Sequence, residues 1–80
     1  METFKKVADI LIDKNCLTEK EVKPESKLKD DLGLDSLDIV ELTMELEREC
    51  SISISDDECR TLNGSEATVD DVVELVDSKV

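Results

Sequence analysis

Ser36-Leu37-Asp38-Ile39-Val40-Glu41-Leu42-Thr43-Met44-Glu45-Leu46-Glu47-Arg48-Glu49-Cys50 is the stretch on which the reading of this chain turns. Asp35, just before it, is a good N-cap, because a short carboxylate can accept from the free backbone N–H groups of a first turn. Asp38 sits where its charge favours the positive end of the helix dipole. A helix over 36–50 is therefore predicted. Apolar side chains fall at 37, 39, 40, 42, 44, 46 and 50, too many for one helical face. Ile39, Leu42, Leu46 and Cys50 make one stripe. Leu37, Val40 and Met44 make a second, flanked by Asp38, Glu41, Glu45 and Glu47. A chain of 80 residues has little material to cover both, so the second stripe is expected to face solvent and meet a partner.

Working back from Ser36, Gly33 can adopt a positive φ and turn the chain into the helix. Residues 16–35 make a long connection, a length that needs its own explanation in a small domain. Thr18 and Glu21 fit a capping box for one short turn. Pro24 restricts Lys23. Val22, Leu28, Leu32 and Leu34 can pin the segment to the core. Further back, Phe4, Val7, Ala8 and Leu11 share one face of a helix over 3–15, which Asn15 can stop.

Forward of Cys50, Ser51-Ile52-Ser53-Ile54-Ser55 alternates like a strand. Nothing else in the chain offers a partner strand, so an extended link that buries Ile54 is expected. Ser55 and Glu58 make a capping box for a short helix over 56–62, ended by Asn63-Gly64. Thr68 and Asp71 make another, and Val69, Val72, Val73, Val76 and Val80 follow at clean helical spacing. Valine is a mediocre helix former, so this last helix depends on docking. The expectation is an all-α fold, a small four-helix bundle of three main helices and one short one, formed by residues 1–80 as one domain.

Composition narrows the function. The chain is 39% apolar, 40% charged, and carries a net charge of −12. Residues 1–29 have a net charge of +1 and residues 30–80 a net charge of −13. A nucleic-acid binder needs a basic footprint, and this balance argues against that class. An acidic surface aids solubility, but this much self-repulsion is expected to serve recognition of basic partners. There is no His, Trp or Tyr. Ser–His and Cys–His catalysis are thereby excluded. No apolar run is long enough to span a membrane, and Met1–Lys6 lacks the apolar core of a signal peptide. Cys16, Cys50 and Cys59 fit no metal spacing and read as free thiols in a reducing compartment, so the cytoplasm is the expected location. A calcium loop starting at Asp30 fails, because Leu32, Leu34 and Asp35 stand where acids and the glycine belong.

Ser36 falls at the first position of the strongest helix, after a glycine turn, with its hydroxyl expected to be exposed. A helix N-terminus is a favourable place for a phosphate, although a capped serine in a first turn is also an ordinary structural feature. Nothing in the chain can take the hydroxyl proton at neutral pH, so Ser36 is expected to be modified by another protein rather than to catalyse.

Leu32-Gly33-Leu34-Asp35-Ser36-Leu37-Asp38-Ile39-Val40-Glu41-Leu42 resembles the signature of the acyl carrier protein family. Length, helix order, acidity and the shortage of aromatics extend the resemblance over nearly the whole chain. The resemblance implies that Ser36 receives 4′-phosphopantetheine from coenzyme A through a Mg²⁺-using phosphopantetheinyl transferase, with Asp35 helping to present it. It implies that the arm's thiol holds acyl groups as thioesters for fatty acid or related biosynthesis. It also implies that Leu37, Asp38, Val40, Glu41, Met44 and Glu47 dock on basic patches of acyl-loading and acyl-transfer enzymes. Ile39, Leu46, Ile54 and Leu62 stand where the family shelters the acyl chain, and they read equally well as plain core. The chain departs from the family at Cys50, often aromatic there, at Ser55, often proline, and in the longer link Asn63–Ala67. A monomer with no resident metal is expected. A carrier of another load, such as an amino acid, and an acidic interaction module are the rival readings.

Overall fold

Four helices, α1 (Glu2–Asn15), α2 (Ser36–Cys50), α3 (Asp56–Leu62) and α4 (Val69–Lys79), build the computed structural model, which describes residues 2–15 and 17–79. The readings of Cys16 and Val80 lie outside the described residues. Helix α1 packs on both α4 and α2, and α3 packs on α2. The one buried stripe of each main helix meets at the centre: Val7 and Leu11 of α1, Ile39, Leu42 and Leu46 of α2, and Val69, Val72 and Val76 of α4. The valine stripe of α4 is thus fully docked, as its weak intrinsic propensity requires.

The long connection is ordered by side chains and by backbone alike. Val22, Leu28, Leu32 and Leu34 are all buried. Burying a side chain such as Leu28 contributes about 1.5–3 kcal/mol, comparable to a core position on a helix. The connection also caps the start of α4. Val69 N–H donates to Ser26 O and Asp70 N–H to Pro24 O, both at 2.9 Å, while Leu28 N–H donates to Ala67 O at 2.9 Å. An isolated antiparallel bridge, Lys27 to Thr68, marks the same seam. Buried Ser26 accepts from Lys23 N–H and donates to Glu21 O, which closes the turn below it. Glu21 in turn accepts from Thr18 N–H at 3.0 Å, which is half of the expected capping box; the Thr18 hydroxyl donates to the same Glu21 oxygen, and Glu21 N–H donates to Thr18 O instead.

Between α2 and α3 the chain is extended, with no strand among the described residues. Ser51 closes α2 in the left-handed region (φ 54°). Ile54 is half-buried, not buried as the sequence suggested. The reason is local: Ile52 and Ile54 lie two apart in an extended segment, point to the same side, and share the cover of the core. The capping boxes expected at Ser55–Glu58 and Thr68–Asp71 are both formed.

Candidate functional site

Asp35 and Asp38 set the geometry around Ser36. Asp35 Oδ1 accepts from Asp38 N–H at 2.8 Å, and Asp38 Oδ2 accepts from Asp35 N–H at 3.1 Å. This is a complete capping box built from two aspartates. The sequence identified the cap and the favourable charge, but not the reciprocal bond. Ser36 is the first residue of α2 and is exposed. Its approach is set by Leu34, buried beneath the turn, and by Gly33 at φ 70°. A Cβ built on Gly33 would meet nothing within 4 Å, so the space beside the turn is open.

Beyond Ser36, Leu37, Val40, Glu41 and Met44 follow at i, i+3, i+4 and i+7 and are all exposed. Leu37 is 66% exposed and Met44 53%, which is unusual for large apolar side chains in so small a protein. A cleft between α1 and α2 continues this surface, with Ile10, Leu42 and Met44 beside Glu41 and Lys14 in its lining. Asp38 and Glu47, expected on the same surface, are half-buried. Asp38 is held in the cap. Glu47 accepts from Ile54 N–H at 2.9 Å and so braces the link to α3.

Ile39, Leu46 and Leu62 are fully buried, with Ile54 packed at their edge. They sit on the α2–α3 side of the core. Thr43 was not singled out from the sequence, yet it is buried among them. Its spacing of four from Ile39 and three from Leu46 was the available signal. Among the described residues, no group of three or more His, Cys, Asp or Glu side chains is arranged to hold a metal ion. Nor is any helix of the described residues long and apolar enough to cross a membrane.

A family model described as the phosphopantetheine attachment site matches residues 5–76, nearly the full length of the chain. The chain belongs to the phosphopantetheine attachment-site family. Its members are carriers that hold 4′-phosphopantetheine in covalent linkage, and they depend on enzymes that modify and load them. The surroundings of Ser36 fit that group in two respects. The serine is exposed, and the turn before it is open.

Proposed function

We propose that residues 1–80 form one acyl carrier domain, with Ser36 as the attachment point of the arm. The observation that carries this reading is an exposed serine hydroxyl at the first position of a capped helix, inside the family match. On docking to a transferase, Ser36 Oγ attacks the phosphorus that bears pantetheine in coenzyme A. The phosphorus–oxygen bond to the nucleotide half breaks, adenosine bisphosphate leaves, and the serine proton passes to a base of the transferase. Asp35 holds the backbone at Ser36 in one conformation for that attack. The arm, once attached, supplies a thiol that holds acyl groups as thioesters for fatty acid or related biosynthesis.

Leu37, Val40, Glu41 and Met44 offer partners a small apolar contact edged with negative charge. Charge steering of that kind speeds encounter without requiring a large, tight interface. Asp38 and Glu47 add to the field from half-buried positions. The acyl chain is sheltered by parting Ile39, Leu46, Ile54 and Leu62. Helix α3 supports this, since it is seven residues long and Leu62 is its one buried residue. Free thiols at Cys50 and Cys59 suit a reducing compartment such as the cytoplasm.

Mass spectrometry tests the assignment. Incubation with coenzyme A, Mg²⁺ and a broad-specificity phosphopantetheinyl transferase is expected to add one arm to the protein and none to Ser36→Ala. An unmodified parent, or an arm on the Ser36→Ala variant, would overturn it.

A further inference from the structure

Asn63 and Gly64 close α3 and begin the link to α4. An asparagine followed by glycine is prone to attack on itself. The glycine backbone nitrogen, once freed of its proton, adds to the asparagine side-chain carbonyl carbon, and glycine has no side chain to hinder the approach. The fold holds this pair apart. Gly64 N–H donates to Thr61 O at 3.1 Å, and Asn63 Nδ2 donates to Cys59 O at 3.3 Å. The Asn63 backbone stands at φ −80° and ψ −1°, so the Gly64 nitrogen eclipses Asn63 N, whereas ring closure needs it to eclipse Cβ. Two observations show that this closed state is lightly kept. Asn63 Oδ1 is buried with no hydrogen-bond partner among the described residues, a penalty that opening relieves. Helix α3 is seven residues long and buries only Leu62, so its end opens at low free energy. Gly64 is exposed, and hydroxide reaches its N–H as soon as the bond to Thr61 O is broken.

We propose that Asn63–Gly64 is a self-modifying site gated by the end of α3, protected while α3 is closed and converted to aspartate or isoaspartate when it opens. In the open state hydroxide takes the Gly64 N–H proton and becomes water. The nitrogen adds to Asn63 Cγ, the Cγ–Nδ2 bond breaks, and Nδ2 takes a proton from water and leaves as ammonia. The five-membered imide then takes up one water. Cleavage of the bond between Gly64 N and Asn63 Cγ gives aspartate, and cleavage of the bond between Gly64 N and the Asn63 backbone carbonyl carbon gives isoaspartate. The product does not fit the closed state. In aspartate a carboxylate oxygen replaces Nδ2 opposite Cys59 O, so acceptor faces acceptor. A new negative charge also stands at the C-terminal end of α3, where the helix dipole is already negative. The change is therefore one-way and leaves the end of α3 loosened. It goes beyond the carrier reading and does not depend on Ser36.

The test incubates the full chain in warm, mildly alkaline buffer and follows conversion by intact mass and by peptide mapping that separates aspartate from isoaspartate. Three samples are compared: the folded parent, the parent unfolded in guanidinium chloride at the same pH, and Lys79→Met. Lys79 holds Glu58 of α3 from the end of α4, so its loss loosens α3 without touching the reacting pair. Conversion at residue 63 is expected to be at least about tenfold slower in the folded parent than in the unfolded chain, with Lys79→Met between them. Asn63→Asp, which imitates one product, is expected to lose hydrogen-exchange protection at Gly64 N–H. If Lys79→Met does not fold, Glu58→Gln takes its place, since it keeps the cap of α3 and loses the charge that pairs with Lys79. Equal rates in the folded and unfolded parent would overturn the proposal. So would a folded Lys79→Met that converts no faster than the parent, conversion confined to Asn15, or full protection of Gly64 N–H in Asn63→Asp. Failure of the arm to attach at Ser36 would sink the carrier reading and leave these outcomes unchanged.

Discussion

Asp35 makes the most specific demand of any residue near the site, because its carboxylate both caps α2 and fixes the backbone that presents Ser36. Loss of an N-cap of this type costs about 1 kcal/mol. In a protein of this size that corresponds to a fall in Tm of about 4–8 °C. Asp35→Ala is expected to show that fall by thermal denaturation and to slow arm attachment, whereas Asp35→Asn keeps an acceptor and most of the stability. Equal Tm for the parent and the alanine variant would mean the cap is not formed in solution. Asp35 and Ser36 were both legible in the sequence, since capping is decided within four residues of chain. The return bond from Asp38 was not read, although Asp71 closes the Thr68 box from the same third helical position.

Helix α3 is the lightly held element of the fold. Seven residues long, it buries Leu62 alone and is fastened at its start by the Ser55–Glu58 box. Glu58 also pairs with Lys79 Nζ at 3.0 Å, which ties α3 to the end of α4. The Ser55 backbone N–H, and then Lys79, hold the Glu58 carboxyl below its ordinary value of 4.5. A depressed carboxyl stabilises the fold above its unfolded-state pKa, and the contribution is lost as pH falls through the folded value. Glu58→Gln preserves the capping geometry and removes the charge. Its Tm is expected to lie below the parent's at pH 7, with the gap closing as pH drops below about 4.5. A gap of constant size down to the onset of acid unfolding would refute the role of the charge. The existence and bounds of α3 could be read from its capping box, but its tie to Lys79 joins residues 58 and 79 and depends on how the helices pack.

The whole molecule carries its charge of −12 on a body of 27 × 24 × 19 Å. At 0.1 M salt the Debye length is about 10 Å, so charges on opposite sides are already screened from each other. Salt therefore acts on two properties with opposite signs. Tm is expected to rise between about 10 and 150 mM NaCl as self-repulsion is screened, and then to flatten. Association with a partner enzyme is expected to fall over the same range. Glu41→Lys should slow that association on the order of tenfold, with little change in Tm, because Glu41 is exposed. Met44→Ala should chiefly speed dissociation by removing apolar contact. Stopped-flow binding with a loading enzyme measures both, and salt-independent association would remove the electrostatic part of the proposal.

Helix positions, the capped serine and the exposed stripe of α2 were readable in the chain because each depends on interactions within a few residues or on a simple period. Even the long connection showed its anchors, Val22, Leu28, Leu32 and Leu34, as isolated apolar residues in a polar segment. Packing settled what spacing could not. It set the Glu47 carboxylate against Ile54 N–H, divided the cover of the core between Ile52 and Ile54, and joined the connection to the start of α4. It also brought Thr43, Cys59 and Asn63 together across two helices. Such partnerships span up to 46 residues of chain, from Pro24 to Asp70, and no local propensity encodes them; they exist once the buried stripes have fixed the helices against one another.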